Sequence, residues 1–196
     1  MTFSLLPSSL SAVSSRRALA AVLLLSAALT GCSSLLGDRT PHDDRFAEFT
    51  QVLADENKNL EIQTDAERLT RRLPGLHASE AHFVAQSRVR SQRELLPEPD
   101  RPYWIHAVAV VEPSAAQALD DASAGEAKPL PGIYPYLHQY VPKDCTFNTV
   151  AREDADKLLD VEHAEFEATN HWINTDEVAV SAQCNLVILM ATVSHS

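Results

Sequence analysis

The residues from Val178 to Val193 constrain the fold more than any other part of this 196-residue chain, because they are almost uniformly apolar. A strand usually spans about five or six residues, so two strands are predicted, near 178–183 and 186–193, turning around Gln183 to Asn185. Leu186 to Val193 shows no polar–apolar alternation, which predicts a central strand covered on both faces. Tyr103 to Val111 is rich in β-branched and aromatic side chains and ends at Glu112-Pro113. A strand buried on at least one face is expected there.

The remaining periodicity reads as helix. After Asp44, placed as a cap, Phe46, Phe49, Val52, Leu53 and Leu60 recur at helical spacing from Arg45 onward. Thr64 and Glu67 form a capping-box pattern ahead of Leu69 and Leu73, and Pro74-Gly75 ends that second helix. Ser79 opens a third segment running to Leu95, read as helix with a strand as the alternative, since the spacing around Phe83, Val84 and Val89 is weak. Pro97, Pro99 and Pro102 interrupt the chain. A short helix is expected from Ser114 to Ala122, and a long one near 149–169, capped by Asn148, with Val150, Ala155, Leu158, Leu159 and Phe166 as its apolar stripe. The fold class is therefore α+β: a single domain with N-terminal helices followed by a small sheet and the long helix. Gly125 to Pro142 carries four prolines, two glycines and three tyrosines, too broken for regular structure and too apolar for a solvated linker. It reads as an ordered surface loop.

At the amino end, Arg16 and Arg17 precede an apolar run from Ala18 to Leu29, the order of an export signal. A spanning helix needs about 20 apolar residues, so the run is short for a permanent anchor. It passes directly into Leu29-Thr30-Gly31-Cys32, and residues 1–32 together resemble the lipobox signal of bacterial lipoproteins. The resemblance implies cleavage before Cys32, a thioether-linked diacylglycerol on its sulfur and a third acyl chain, a palmitate, on the new amino terminus. Two or more chains hold a protein stably at a bilayer. Residues 1–31 are then a cleaved signal peptide, 32–44 an acylated tether and 45–196 a periplasmic domain. Ser33 stands where inner-membrane lipoproteins often carry aspartate, which favours the outer membrane. Ser15 to Leu19 matches a twin-arginine signal only in part, and general export is expected.

Cleavage removes two of the 16 basic side chains and none of the 27 acidic ones, leaving 14 against 27 on a mature chain of 165 residues. Such a surface repels nucleic acid and anionic lipid. Residues 68–101 alone reverse the balance, with seven basic and four acidic side chains. With Cys32 assigned to lipid, Cys145 and Cys184 remain as a pair in an oxidising compartment, and a disulfide is expected. A free nucleophilic thiol or a thiolate metal pair is the alternative, although no CxxC spacing points to either.

No catalytic set, metal site or cofactor is assigned. The mature chain has glycine only at 37, 75, 125 and 132, too few for a phosphate-cradling loop, and GxSxG is absent. His163, Glu167 and His171 recur every four residues, but on a helix the two histidines would lie about 12 Å apart, beyond one shared ion. His77, Glu80 and His82 do not form HExxH. Trp104 and Trp172 suit packing as well as sugar stacking. Two roles remain: a lipid-anchored, non-catalytic module that binds an envelope protein as an accessory or inhibitor, or a small periplasmic hydrolase. For the first, Tyr134, Tyr136 and Tyr140 are the expected anchors for a basic partner, with the acidic stretch from Glu153 to Glu167 beside them. The competing expectation is that these tyrosines pin the loop to its own domain.

Overall fold

In the computed structural model, residues 41–89, 101–167 and 170–195 are described. The residues read as an export signal, Cys32 and the expected tether up to Thr40 lie outside them. Six strands form one antiparallel sheet: β1 (Ala78–Ser87), β2 (Tyr103–Val111), β3 (Ser123–Glu126), β4 (Asn148–Val150), β5 (His171–Ser181) and β6 (Leu186–His195). Their spatial order is β1-β2-β6-β5-β4-β3. Three short helices accompany them: α1 (Ala66–Arg72), α2 (Pro113–Asp121) and α3 (Arg152–Leu158). The class is mixed α and β, with most of the regular structure in the sheet.

β2 and β6 lie at the centre, and their successive side chains point to opposite faces. Ile105, Ala107 and Ala109 of β2 join Val187, Leu189 and Ala191 of β6 under the three helices, packed with Leu69, Leu73, Leu119 and Leu159. Trp104, Val108, Ile188 and Met190 point the other way, where residues 46–62 and residues 127–147 cover them; the second stretch, expected to lack regular structure, carries a 3-10 helix at Pro135–Tyr140. Burial on both sides explains why Leu186 to Val193 shows no alternation. The β5–β6 hairpin turns through Ala182–Asn185, with Asn185 in a left-handed conformation at φ 51°.

Several sequence expectations need correction. Residues 45–63 hold no helix. The apolar residues named there do turn inward, with Phe46 in the core and Phe49, Leu53 and Leu60 packed against it, while Val52 is 39 % exposed. Their backbone pairs with the loop instead, the Leu130 N–H donating to the Arg45 carbonyl and the Ala47 N–H to the Leu130 carbonyl, both at 2.8 Å. Asp44 caps nothing; Asp43 accepts from the Arg45 N–H at 3.1 Å. The second helix is present as α1, with Asp65 rather than Thr64 as its cap, accepting from the Arg68 N–H at 2.9 Å. As far as Ser87 the segment after Ser79 is the strand alternative, residues 90–95 lying outside those described: as β1 it gives Ala81 and Phe83 to the helix-covered face and Val84 to the other.

The long helix near 149–169 is not formed. Its first residues are β4, which pairs with β5, and α3 ends at Leu158 before Asp160 adopts a left-handed φ of 56°. β5 begins at His171, well before 178. Asn174, Thr175, Asp176 and Glu177 disguise its first half, but Thr175 is buried because its N–H and its hydroxyl both donate to Asp156 Oδ1 at 2.8 Å. A bulge between Thr175 and Glu177 re-aims the polar side chains. On the helix side, Gly75 is pressed against the end of α3. Its N–H donates to the Leu159 carbonyl at 3.0 Å, and a Cβ there would stand 2.0 Å from the Leu158 carbonyl oxygen.

Candidate binding surface

The segment from Ala127 to Phe147 lies over the sheet face opposite the helices and is fastened at several points. Cys145 and Cys184 form a disulfide that closes a separation of 39 residues and ties the end of the segment to the β5–β6 turn. The Arg45 guanidinium donates to the carbonyls of Val141 at 2.9 Å and Pro142 at 2.8 Å. The same guanidinium pairs with Asp43 at 2.8 Å and holds its carboxyl at about 2, well below the ordinary value. The Ala127 N–H donates to the Phe147 carbonyl at 2.8 Å, closing the base of the segment.

The three tyrosines occupy different environments. Tyr134 is a core residue, 2 % exposed; its hydroxyl accepts from the Leu60 N–H at 3.0 Å, and its own N–H donates to His106 Nδ1 at 3.0 Å. It pins the loop to the domain and offers a partner no surface. Tyr136 and Tyr140 are half-buried. Tyr140 stacks on His82 of β1 at 3.6 Å between ring centroids, and Tyr136 leans on Tyr134 at 5.4 Å. The acidic stretch expected beside them is elsewhere: α3 packs with Ala155 into the cluster under the helices, on the opposite face. Among the acids that do neighbour the segment are Asp43, Asp44 and Glu48, which with Pro135 and His138 line a groove of about 570 Å³. His138 itself stacks on Phe46 at 3.8 Å.

His106 is 1 % exposed, and burial among Phe49 and Trp104 pushes its pKa down to about 3. It is therefore neutral at any ordinary pH, with Nδ1 as the acceptor and the proton on Nε2. Sequence reasoning passed over it, although a lone histidine inside an apolar strand was the available signal.

The other residues singled out from the sequence are dispersed. His163 lies 2.6 Å from Asp160, whose carboxylate raises its pKa. Glu167 is in a bend, and His171 opens β5 beside Phe166 and His195. His77 has a left-handed backbone, and Glu80 and His82 are on β1. No group of three metal-ligating side chains occurs among the described residues. Trp104 is core, whereas Trp172 is 43 % exposed. No helix among the described residues is long and apolar enough to cross a membrane. The architecture is an antiparallel six-stranded α+β sheet with helices on one face and a disulfide-fastened loop layer on the other. Comparison with protein-family models, curated proteins and solved structures finds no match.

Proposed function

We propose that this is a lipid-anchored protein of the cell envelope that acts without catalysis, by binding another envelope protein. The observation that carries the reading is the disulfide between Cys145 and Cys184. A stable disulfide suits an exported chain, and it leaves Cys32 of the lipobox as the one cysteine of the three free to carry lipid. The same bond restricts the loop bearing Tyr136 and Tyr140 before any encounter, so less conformational entropy is lost on association. Tyrosine supplies apolar area with a hydrogen-bonding tip, a common energetic centre of interfaces. Asp44 and Glu48 beside the loop would speed encounter with a basic partner.

Two measurements test this reading. Cys32→Ser should abolish acylation and leave the protein uncleaved in the inner membrane or soluble; unchanged detergent-dependent attachment to the outer membrane would remove the anchor. Crosslinking in the native envelope should then capture a saturable, stoichiometric partner through Tyr136 and Tyr140. Turnover of many equivalents of an envelope substrate would favour the hydrolase instead.

A further inference from the structure

Where α1 passes over the end of β1 and β2, a cavity of about 240 Å³ opens at the sheet edge. Its floor is apolar, built from Leu69, Phe83 and Ile105, and its space exists because Ala85, exposed on β1, contributes only a methyl group. Arg68 and Arg72 stand at the mouth one helical turn apart, about 6 Å along the axis of α1. Gln63 Oε1 accepts from Arg68 at 2.8 Å, and Arg72 donates to the Glu165 carbonyl while lying 4.5 Å over the Phe166 ring. Each guanidinium has five N–H donors, so both keep donors beyond these contacts. Arg72 also hydrogen-bonds the Tyr103 side chain at the rim, where Glu167 is close enough to act, and among the described residues neither guanidinium is paired with a carboxylate. On a chain in which acids outnumber bases, two fixed guanidiniums over an apolar pocket are a local exception.

The backbone beside this pocket is also open. Gln63 and Phe83 exchange two hydrogen bonds, at 2.8 and 2.9 Å, across the outer edge of β1. Continued pairing would set Glu61 against Ala85, but the chain leaves the edge, and Leu60 and Leu53 turn onto the loop-covered face. Ala85 and Ser87 share the outward orientation of Phe83, and their N–H and C=O groups have no backbone partner among the described residues; the Ser87 carbonyl accepts only a long contact of 3.4 Å from Gln86 Nε2, which an incoming strand would displace.

We propose that this cleft binds the free carboxyl end of an extended polypeptide whose last side chain is apolar. The carboxylate sits between Arg68 and Arg72, the side chain fills the pocket over Phe83 and Ile105, and the backbone pairs with Ala85 and Ser87. Only a chain end carries a carboxylate and an apolar side chain on one carbon; an acidic side chain would bring its charge down onto the apolar floor, which is costly. The bridge at Gln63 stops pairing beyond Phe83, leaving room for the short strand that a chain end supplies. This inference rests on the reading of the protein as a binding module and names a partner class for it.

The test uses the acylated protein in detergent micelles and a fluorescein-labelled peptide, Thr-Val-Thr-Val-Leu, as the free acid and as the carboxyl amide, with N-acetyl-leucine as competitor. The free acid should bind about tenfold or more tightly than the amide, the difference expected from one charge-assisted hydrogen bond. Arg68→Gln should remove most of that difference, Ala85→Leu should block both peptides by filling the pocket, and amide exchange at Ala85 and Ser87 should slow in the complex. Arg68 and Ala85 are exposed, and thermal unfolding checks that both variants remain folded. Equal affinity for acid and amide, no saturable binding, or indifference to both substitutions overturns the proposal. So does N-acetyl-leucine binding as tightly as the peptide, or slow exchange at Ala85 and Ser87 before peptide is added. If the peptides fail while crosslinking through Tyr136 and Tyr140 persists, the cleft proposal alone falls; the opposite pattern removes the loop surface and leaves the cleft.

Discussion

His106 makes the fold acid-sensitive in a calculable window. An unfolded histidine takes up its proton around pH 6.5, whereas His106 does so only at about 3. Between those values the unfolded chain holds the extra proton, so stability is intact above about pH 6.5 and is lost progressively as pH falls toward 3. Protonation at Nδ1 would also destroy the acceptor of the Tyr134 N–H. Each pH unit in the window is worth about 1.4 kcal/mol, so moving from about pH 7 to about pH 5 should cost about 2 kcal/mol from this residue. That is a large share of the roughly 5–15 kcal/mol that holds a domain together. The perturbation is His106→Asn, whose side-chain oxygen stays near the Nδ1 position but does not titrate. Urea unfolding of both proteins at the two pH values is the assay. The variant should start about 1–3 kcal/mol less stable because of the cavity it leaves, yet lose about 2 kcal/mol less on acidification, so the two curves converge. Other histidines are present in both proteins and cancel. Parallel pH profiles would refute the argument.

Gly75→Ala should lower stability by about 3 kcal/mol in the same urea assay, because the new methyl meets the Leu158 carbonyl rather than a side chain that can turn away. Replacing Cys145 and Cys184 together by Ala should cost up to about 4 kcal/mol, the loop-closure entropy of a 39-residue separation; an unchanged midpoint would mean that the loop is held without the bond. Asp43, with its carboxyl lowered from 3.8 to about 2 by Arg45, stabilises the fold above about pH 4 and ceases to do so as pH falls through 2. Asp43→Asn should therefore flatten the acid limb below pH 4, with an effect of about 1 kcal/mol or less, as expected of a surface pair.

What the sequence disclosed depended on how each segment is buried. Tyr103 to Val111 and Leu186 to Val193 sit at the centre of the sheet, and their composition alone marked them. The cysteine pair was legible because, once Cys32 is read as a lipid site, Cys145 and Cys184 leave few arrangements. Phe46, Phe49 and Leu53 were legible as buried residues but not as extended chain: covering a sheet face asks only for an apolar side chain every few residues, and a helix asks for the same. β5 was half hidden because Thr175 satisfies itself on Asp156, a partner 19 residues away that no local pattern reveals. The three tyrosines looked alike in sequence, and only the bonds from Leu60 and to His106 separate Tyr134 from the other two.

The fastening of the loop layer also defines how the domain bears force. A pull on its amino end meets Arg45, which grips the carbonyls of Val141 and Pro142. A few residues on, Cys145 is covalently joined to Cys184, in the turn that leads into β6. The amino end of the domain is thus tied to the middle of the sheet ahead of residues 48–62, so that load on that end reaches the central strands without first passing through that segment's own contacts, such as the Leu60 N–H to the Tyr134 hydroxyl.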